Sequence, residues 1–287
     1  MLLSGKSKVY GLFGDPIAHS LSPAMQNHAF RHYDIDAVYV PFHVFPEQLS
    51  KAVDSLRVLN IAGVNVTVPH KEQIIPLLDR IDPATKLIGA VNTVVNENGV
   101  LIGYNTDASG FIRSLKINMD FEPSGKQVLI LGAGGACRAV LVALAFAGVK
   151  SITVANRHPE RAEKLIATVA RHFSDVALFA TGYDEQPYQD GLDNADLVVN
   201  ATSVGLYGET LNFLPLERIK GSAFIYDMIY SLSKTTLIKK AHDLNLLCDD
   251  GLSMLAAQGE DAFALWTGVQ PSPGFMRDFL IRRRTNM

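Results

Sequence analysis

Cysteine, long apolar runs and charge of one sign are all scarce in this chain, and each scarcity removes a class of protein. Only Cys137 and Cys248 are present among 287 residues, too few for a disulfide framework or a cysteine metal site. The most apolar segment, residues 139–149, falls far short of the roughly 20 residues that a membrane span needs. Residues 1–8 lack the apolar core of a signal peptide. The net charge is −3, and the basic residues are scattered and matched by acids, so no nucleic-acid surface is expected. The one basic run, Arg282 to Arg284, reads as a solvated helix end. There is no internal repeat and no low-complexity segment. These absences predict a cytoplasmic protein without membrane or nucleic-acid partners.

Apolar residues, by contrast, make up 48% of the chain, enough for two packed cores at this length. Short apolar runs alternate with helical patterns, which predicts an α/β fold with mostly parallel sheets. In the first half, strands are expected at 8–13, 37–44 and 61–68. Ser22-Pro23 opens one helix, with Ser22 read as its cap. Pro46 opens a second helix that runs to about residue 59, and a short one is expected around 72–78. Segments 91–95 and 100–104 flank Asn-Glu-Asn-Gly and read as a β-hairpin. Polar, turn-rich residues 118–125 suggest a domain boundary. Further strands are expected at 127–131, 151–156, 176–179, 197–200, 224–227 and 246–248. The division predicted is an N-terminal substrate domain over 1–112, completed by helices at about 253–287, and a C-terminal Rossmann dinucleotide-binding domain over 120–252.

The apolar run 127–131 leads into Gly132-Ala133-Gly134-Gly135-Ala136-Cys137 and then an apolar helix, with a new strand from Ser151. Gly132 suits a tight turn, Gly134 permits close approach of a pyrophosphate, and the helix N-terminus offers N–H donors. The third glycine of the usual pattern is Cys137, which predicts a slightly wider helix–strand spacing. A tight turn with no nucleotide is the plainer alternative, and the strand–turn–helix–strand context weighs against it. At the end of the next strand stand Asn156 and Arg157, with Arg161 one turn on. NAD enzymes usually place a carboxylate there for the ribose hydroxyl. Two guanidinium groups suit a 2′-phosphate instead, so NADP is favoured over NAD. A surface arginine pair is the plain alternative.

Three polar clusters mark the first half. Ser20 and Ser22 lie at a strand-to-helix junction, which suits a carboxylate and equally suits simple capping. In Asn65-Val-Thr67-Val-Pro-His70-Lys71, a lysine beyond a strand end is a candidate proton donor, although a lone lysine is usually solvated. His70 reads as structural or surface. Asn92-Thr93 and Asn105-Thr106-Asp107 complete the set, the latter also a normal helix opening.

Taken together, these segments resemble the shikimate dehydrogenase family, in order and over nearly the whole chain. The resemblance rests on Ser20/Ser22, Asn65–Lys71, Gly89-Ala-Val-Asn-Thr93, Asn105–Asp107, Gly132–Ala136, Asn156-Arg157, Asn200-Ala-Thr-Ser-Val-Gly205, Tyr226-Asp-Met-Ile-Tyr230 and the segment Asp250 to Gly259. It implies reversible NADPH-dependent reduction of 3-dehydroshikimate to shikimate, in the formation of chorismate and the aromatic amino acids, with no metal. It implies Lys71 and Asp107 as the catalytic pair, Ser20, Ser22 and Tyr230 on the ring carboxylate, and Thr67, Asn92 and Gln258 on hydroxyls. Gly132, Ala133, Gly134, Gly135, Ala136, Asn156, Arg157, Arg161 and Thr202 are expected to bind cofactor, with Met228 and Gly251 at the nicotinamide. Departures from the family pattern are Cys137, Ala108 and Leu206. The close alternative is a quinate/shikimate dehydrogenase using NAD or NADP, because a pocket accepts an added hydroxyl easily. A folate-type methylene dehydrogenase would leave Ser20, Ser22 and Asp107 without a task. A nucleotide-sensing regulator without chemistry has no need of Lys71 and Asp107. The oligomeric state is left open, a homodimer included.

Overall fold

The structure, a computed structural model, describes residues 3–230 and 233–285. They form two compact units: the chain up to residue 110 with 256–283, and residues 111–255 with the chain from 284.

The first unit is built on a six-stranded sheet of β1 (Lys8–Gly14), β2 (Ala37–His43), β3 (Gly63–Val66), β4 (Arg80–Ile81), β5 (Thr93–Glu97) and β6 (Val100–Tyr104), in the order β2-β1-β3-β5-β6-β4. The β1–β2, β1–β3 and β4–β6 pairs are parallel; β3–β5 and β5–β6 are antiparallel. Every residue of β3 is buried, as expected of a strand covered on both faces. Phe13, Leu56, Val64, Val66, Val94 and Leu101 form the centre of this core, each side chain contributing about 1.5–3 kcal/mol by leaving water. The hairpin of β5 and β6 closes at Asn98-Gly99, both at positive φ, the turn that a two-residue hairpin favours. Helices α1 (Ser22–His32), α2 (Leu49–Val58) and α3 (Pro83–Ile88) complete the lower-numbered part.

The second unit holds β7 (Gln127–Leu131), β8 (Ser151–Ala155), β9 (Ala177–Thr181), β10 (Leu197–Asn200), β11 (Phe224–Asp227) and β12 (Leu247–Asp250), all parallel in the order β12-β11-β10-β7-β8-β9. This is the doubly wound Rossmann order, in which the order of successive strands reverses between β7 and β10. Helices α5 (Gly135–Phe146), α6 (Pro159–Val169), α7 (Gln186–Asn194) and α8 (Thr236–Asp243) connect the strands. The chain crosses between the units inside α4 (Thr106–Met119) and again inside α9 (Gly251–Thr267), and α10 (Phe275–Thr285) follows. No helix among the described residues is long and apolar enough to cross a membrane.

Several local expectations need correction. The helix expected at 72–78 is a set of turns with one 3₁₀ turn at Ile75–Leu77, because Pro76 cannot donate to an α-helical ladder and clashes with the preceding turn. The helix α3 is an addition, although Asp82 caps Thr85 N–H, Pro83 stands at its first position and Gly89 ends it in the left-handed region. Of the basic run, Arg282 and Arg283 are exposed. Arg284 is not a solvated end: its side chain is 19% exposed and pairs with Asp250 at 2.8 Å.

Candidate active site

In the first unit the strand ends bring two of the polar clusters together, the one from Asn65 to Lys71 and the one formed by Asn92 with Asn105–Asp107. Asn65 at the end of β3 pairs with Thr93 at the start of β5, and Thr93 pairs in turn with Tyr104 at the end of β6. Asn92 and Asn105-Thr106-Asp107 therefore emerge side by side. The Asn105 side chain accepts from Ala108 N–H at 3.1 Å and donates to Ala90 O, which starts α4 where it does. Thr106 N–H donates to Asn92 Oδ1 at 2.7 Å. The Asn92 amide donates to Asp107 Oδ1 at 2.9 Å and to Thr106 Oγ1 at 3.0 Å. Its other near neighbour is Gln258 Oε1 at 3.4 Å, carried by α9.

Asp107 is the focus of this network. Its Oδ2 accepts from Lys71 Nζ at 2.7 Å, the aspartate side chain being 13% and the lysine 32% exposed. Lys71 is held from behind, its carbonyl accepting from Val91 N–H. The adjacent His70 is fully buried with Nε2 bonded to Val44 O at 2.7 Å, so it is structural. The pair thus consists of an ammonium that reaches solvent and a carboxylate fixed by a neutral amide. Charge-assisted bonds of this kind are short and directional.

The Ser20–Ser22 segment differs from its predicted detail. Leu21 stands at the cap position of α1 in a helical conformation, and no side chain makes a cap hydrogen bond there. Ser22 is already inside the helix, and Ser20 Oγ is the atom that accepts, from Ser22 N–H at 3.3 Å. The expected roles are therefore exchanged: Ser20 carries the weak capping contact, and Ser22 carries none. Ser22 is 7% exposed, and neither hydroxyl donates to another described residue, which leaves both O–H groups at a helix N-terminus for an anion. Thr67, just beyond β3, is half-buried with its backbone N–H on Phe13 O. Tyr230 belongs to the second unit, where it is half-buried beyond β11.

The second unit carries the predicted nucleotide loop at the point where the strand order reverses. Gly132 has φ +107°, and a Cβ there would lie 2.9 Å from Ala201 O and 3.1 Å from the Thr202 side chain. Only glycine fits this contact between the loops that follow β7 and β10. Above Gly134, by contrast, a Cβ would meet nothing within 4 Å, and no side chain caps α5. The first N–H groups of that helix, at Gly135 and Ala136, thus border an open cradle that fits a pyrophosphate. Cys137 is fully buried, and burial pushes its thiol up to about 12, so it packs rather than reacts. At the end of β8, Asn156 is half-buried, while Arg157 and Arg161 are exposed with no carboxylate in ion-pair range among the described residues. Glu160 faces His158 at 3.7 Å. Two uncommitted guanidinium groups at this strand end fit a phosphate. No group of three or more His, Cys, Asp or Glu that could hold a metal occurs among the described residues.

Three family profiles cover this framework: the shikimate dehydrogenase substrate binding domain over residues 12–94, shikimate/quinate 5-dehydrogenase over 115–207, and the shikimate 5′-dehydrogenase C-terminal domain over 251–278. The chain belongs to the shikimate dehydrogenase family. A relative from Geobacter metallireducens, a shikimate dehydrogenase (NADP(+)), is 46% identical over 96% of this chain and 97% of its own. A shikimate dehydrogenase solved in complex with NADP+ is 38% identical with a TM-score of 0.90, covering 98% of this chain and 97% of that one. The enzyme of Thermus thermophilus, solved with NADP(H) and shikimate, is 36% identical with a TM-score of 0.84, covering 96% and 99%.

Within this family member, some working residues escaped the motif reading. Thr106 Oγ1 lies within reach of Asn92, Thr93 and Gln258. Asn65 donates to Asn92 O at 3.1 Å and Thr93 Oγ1 at 3.0 Å while accepting from Tyr39 O–H at 2.8 Å. Thr106 and Asn65 stand inside the motifs Asn105–Asp107 and Asn65–Lys71, but their hydrogen bonds depend on strand register, and Tyr39 lies in no motif at all.

Proposed function

We propose that this chain is an NADP-dependent shikimate dehydrogenase, reversibly reducing 3-dehydroshikimate to shikimate in aromatic amino acid biosynthesis. The observation that carries the reading is the Lys71–Asp107 pair at 2.7 Å with Asp107 fixed by Asn92. NADPH, when bound, supplies the hydride that becomes the new C–H bond at the keto carbon. As the C=O bond opens, its oxygen takes the proton from Lys71 Nζ, giving the hydroxyl; Lys71 is reprotonated from solvent. Asp107 aims the Lys71 ammonium through their 2.7 Å contact, while accepting from a ring hydroxyl. Asn92, Thr67 and Gln258 bind further hydroxyls. Ser20, Ser22 and Tyr230 bind the carboxylate through neutral O–H donors, whose strength toward an anion follows from charge assistance.

On the cofactor side, the reading assigns the pyrophosphate to the loop Gly132, Ala133, Gly134, Gly135 and Ala136. Arg157 and Arg161, with Asn156, take the adenosine 2′-phosphate, and Thr202, Met228 and Gly251 the nicotinamide end. A cytoplasmic address and a homodimer belong to the same reading, to be checked by cell fractionation and sedimentation.

Initial rates on shikimate and on quinate, each with NADP and with NAD, test the function. The expected result is the highest kcat/KM for shikimate with NADP. Preference for quinate would move the chain to the quinate/shikimate branch. Nucleotide binding with no turnover of either alcohol would replace the enzyme by a nucleotide-sensing protein.

The carboxylate anchor has its own test. Because Ser22 makes no cap, Ser22→Ala should leave the melting temperature nearly unchanged and raise KM for shikimate roughly 10- to 100-fold, the loss of one charge-assisted hydrogen bond. Ser20→Ala should raise KM similarly and lower stability slightly through its weak contact with Ser22 N–H. Unchanged KM in both would remove the serines from the site.

A further inference from the structure

The strands β10 and β11 end in two polar residues, Asn200 and Asp227, both completely buried. Asp227 Oδ1 accepts from Asn200 Nδ2 at 2.9 Å and from Ile229 N–H at 3.2 Å. Its Oδ2 accepts from Thr235 O–H at 2.6 Å. Asn200 Oδ1 accepts from the N–H and O–H of Thr202, at 3.1 and 2.7 Å, and Asn200 O accepts from Met228 N–H at 3.0 Å. On the other side Gly251 N–H donates to Ile229 O, and a Cβ at Gly251 would lie 2.3 Å from Met228 O. The Met228 backbone is thus gripped between β10, Asp227 and Gly251.

Burying a carboxylate is expensive, and an apolar strand end, such as Leu131 of β7 or Ala155 of β8 in the same sheet, avoids that cost. Burial pushes the Asp227 carboxyl up from the ordinary carboxylate range, while its bonds to Thr235, Ile229 and Asn200 draw it down. No step of the proposed reaction uses this group. What it does is tie together, through Asn200 and Ile229, the segments that follow two neighbouring strands: the loop bearing Thr202 and the turn bearing Met228. We infer that Asp227 is a positioning residue for hydride transfer, fixing Met228 and Thr202 in the arrangement that seats the nicotinamide ring. The inference rests on the cofactor reading above.

The test compares wild type with Asp227→Leu, Asp227→Asn and Thr235→Val. It measures kcat and KM with NADPH and 3-dehydroshikimate, the affinity for adenosine 2′,5′-bisphosphate, and the melting temperature. The bisphosphate carries the phosphate end of the cofactor and no nicotinamide. Asp227→Leu should lower kcat roughly 10- to 100-fold, the scale of a misplaced reactant, with bisphosphate affinity unchanged. Asp227→Asn should restore most of kcat, since its amide oxygen keeps the Asn200 and Ile229 bonds and its NH₂ faces the Thr235 hydroxyl. Thr235→Val should lower kcat severalfold with bisphosphate affinity unchanged, and it decides the matter if Asp227→Leu does not fold. Wild-type kcat in folded Asp227→Leu or in Thr235→Val would overturn the inference, as would equal loss of both nucleotides or failure of Asp227→Asn to recover. A wild-type protein that binds neither nucleotide would instead sink the cofactor reading, and this inference with it.

Discussion

Lys71→Ala is expected to lower kcat by about 10²–10⁴, the range for removal of a positioned proton donor, with a smaller change in KM. At about 1.4 kcal/mol per tenfold, this is roughly 3–5 kcal/mol of transition-state stabilisation. The geometry explains why the loss should fall on kcat. Lys71 Nζ pairs with Asp107 Oδ2, and the bond from Asn92 to Asp107 Oδ1 does not involve the lysine. The rest of the cluster, from Asn65 through Thr93 and Asn92 to Thr106, does not depend on the ammonium, so substrate can still be seated. Steady-state kinetics with circular dichroism checks this. A folded mutant retaining more than about a tenth of wild-type kcat, well outside the range for a general acid, would assign the proton to another donor.

The second large effect concerns the cofactor. Replacing Arg157 by a neutral residue should weaken NADP by about 1.5–3 kcal/mol, roughly 10- to 150-fold in Kd, and leave NAD nearly unchanged. Arg157 and Arg161 are exposed and pair with no carboxylate among the described residues, so removing one should leave stability unchanged. Titrations of NADP and NAD against wild type and mutant decide the point. Equal losses for both cofactors would mean that the arginine shapes the loop rather than reading the 2′-phosphate. The difference between the cofactors should also shrink as salt is raised, because exposed charges are screened.

Much of the fold is legible in the sequence, for identifiable reasons. The nucleotide loop announces itself because Gly132 needs a positive φ and the flanking apolar runs fix a strand and a helix around it. The β5–β6 hairpin is equally local, set by Asn98-Gly99. What escaped depends on residues far apart in sequence or on a single backbone angle. Whether Ser20 or Ser22 touches the helix end turns on the helical conformation of Leu21, which no composition rule fixes. The partner of Arg284 is Asp250, invisible to a reading that sees three adjacent cations as a solvated tail. The short helix α3 is readable from Asp82-Pro83 and Gly89, whereas a helix at 72–78 leaves Pro76 out of account. For Asn65 and Tyr39 the chemistry was present in the letters, but only the pairing of β3 with β5 turns it into a network.

The buried amides of the first unit also act as a check on folding. A slip of one residue between β5 and β6 would turn every side chain of the hairpin to the opposite face. It would also separate Asn92 from Thr106 and Asp107. Each buried donor or acceptor left without a partner costs about 1–3 kcal/mol, and several would be stranded at once. Mispaired versions of this sheet are therefore disfavoured by the same contacts that hold the Asp107 carboxylate. A molecule stable enough to persist is, by that fact, one whose Asp107 is correctly held, so a preparation of this protein should contain few folded but inactive copies.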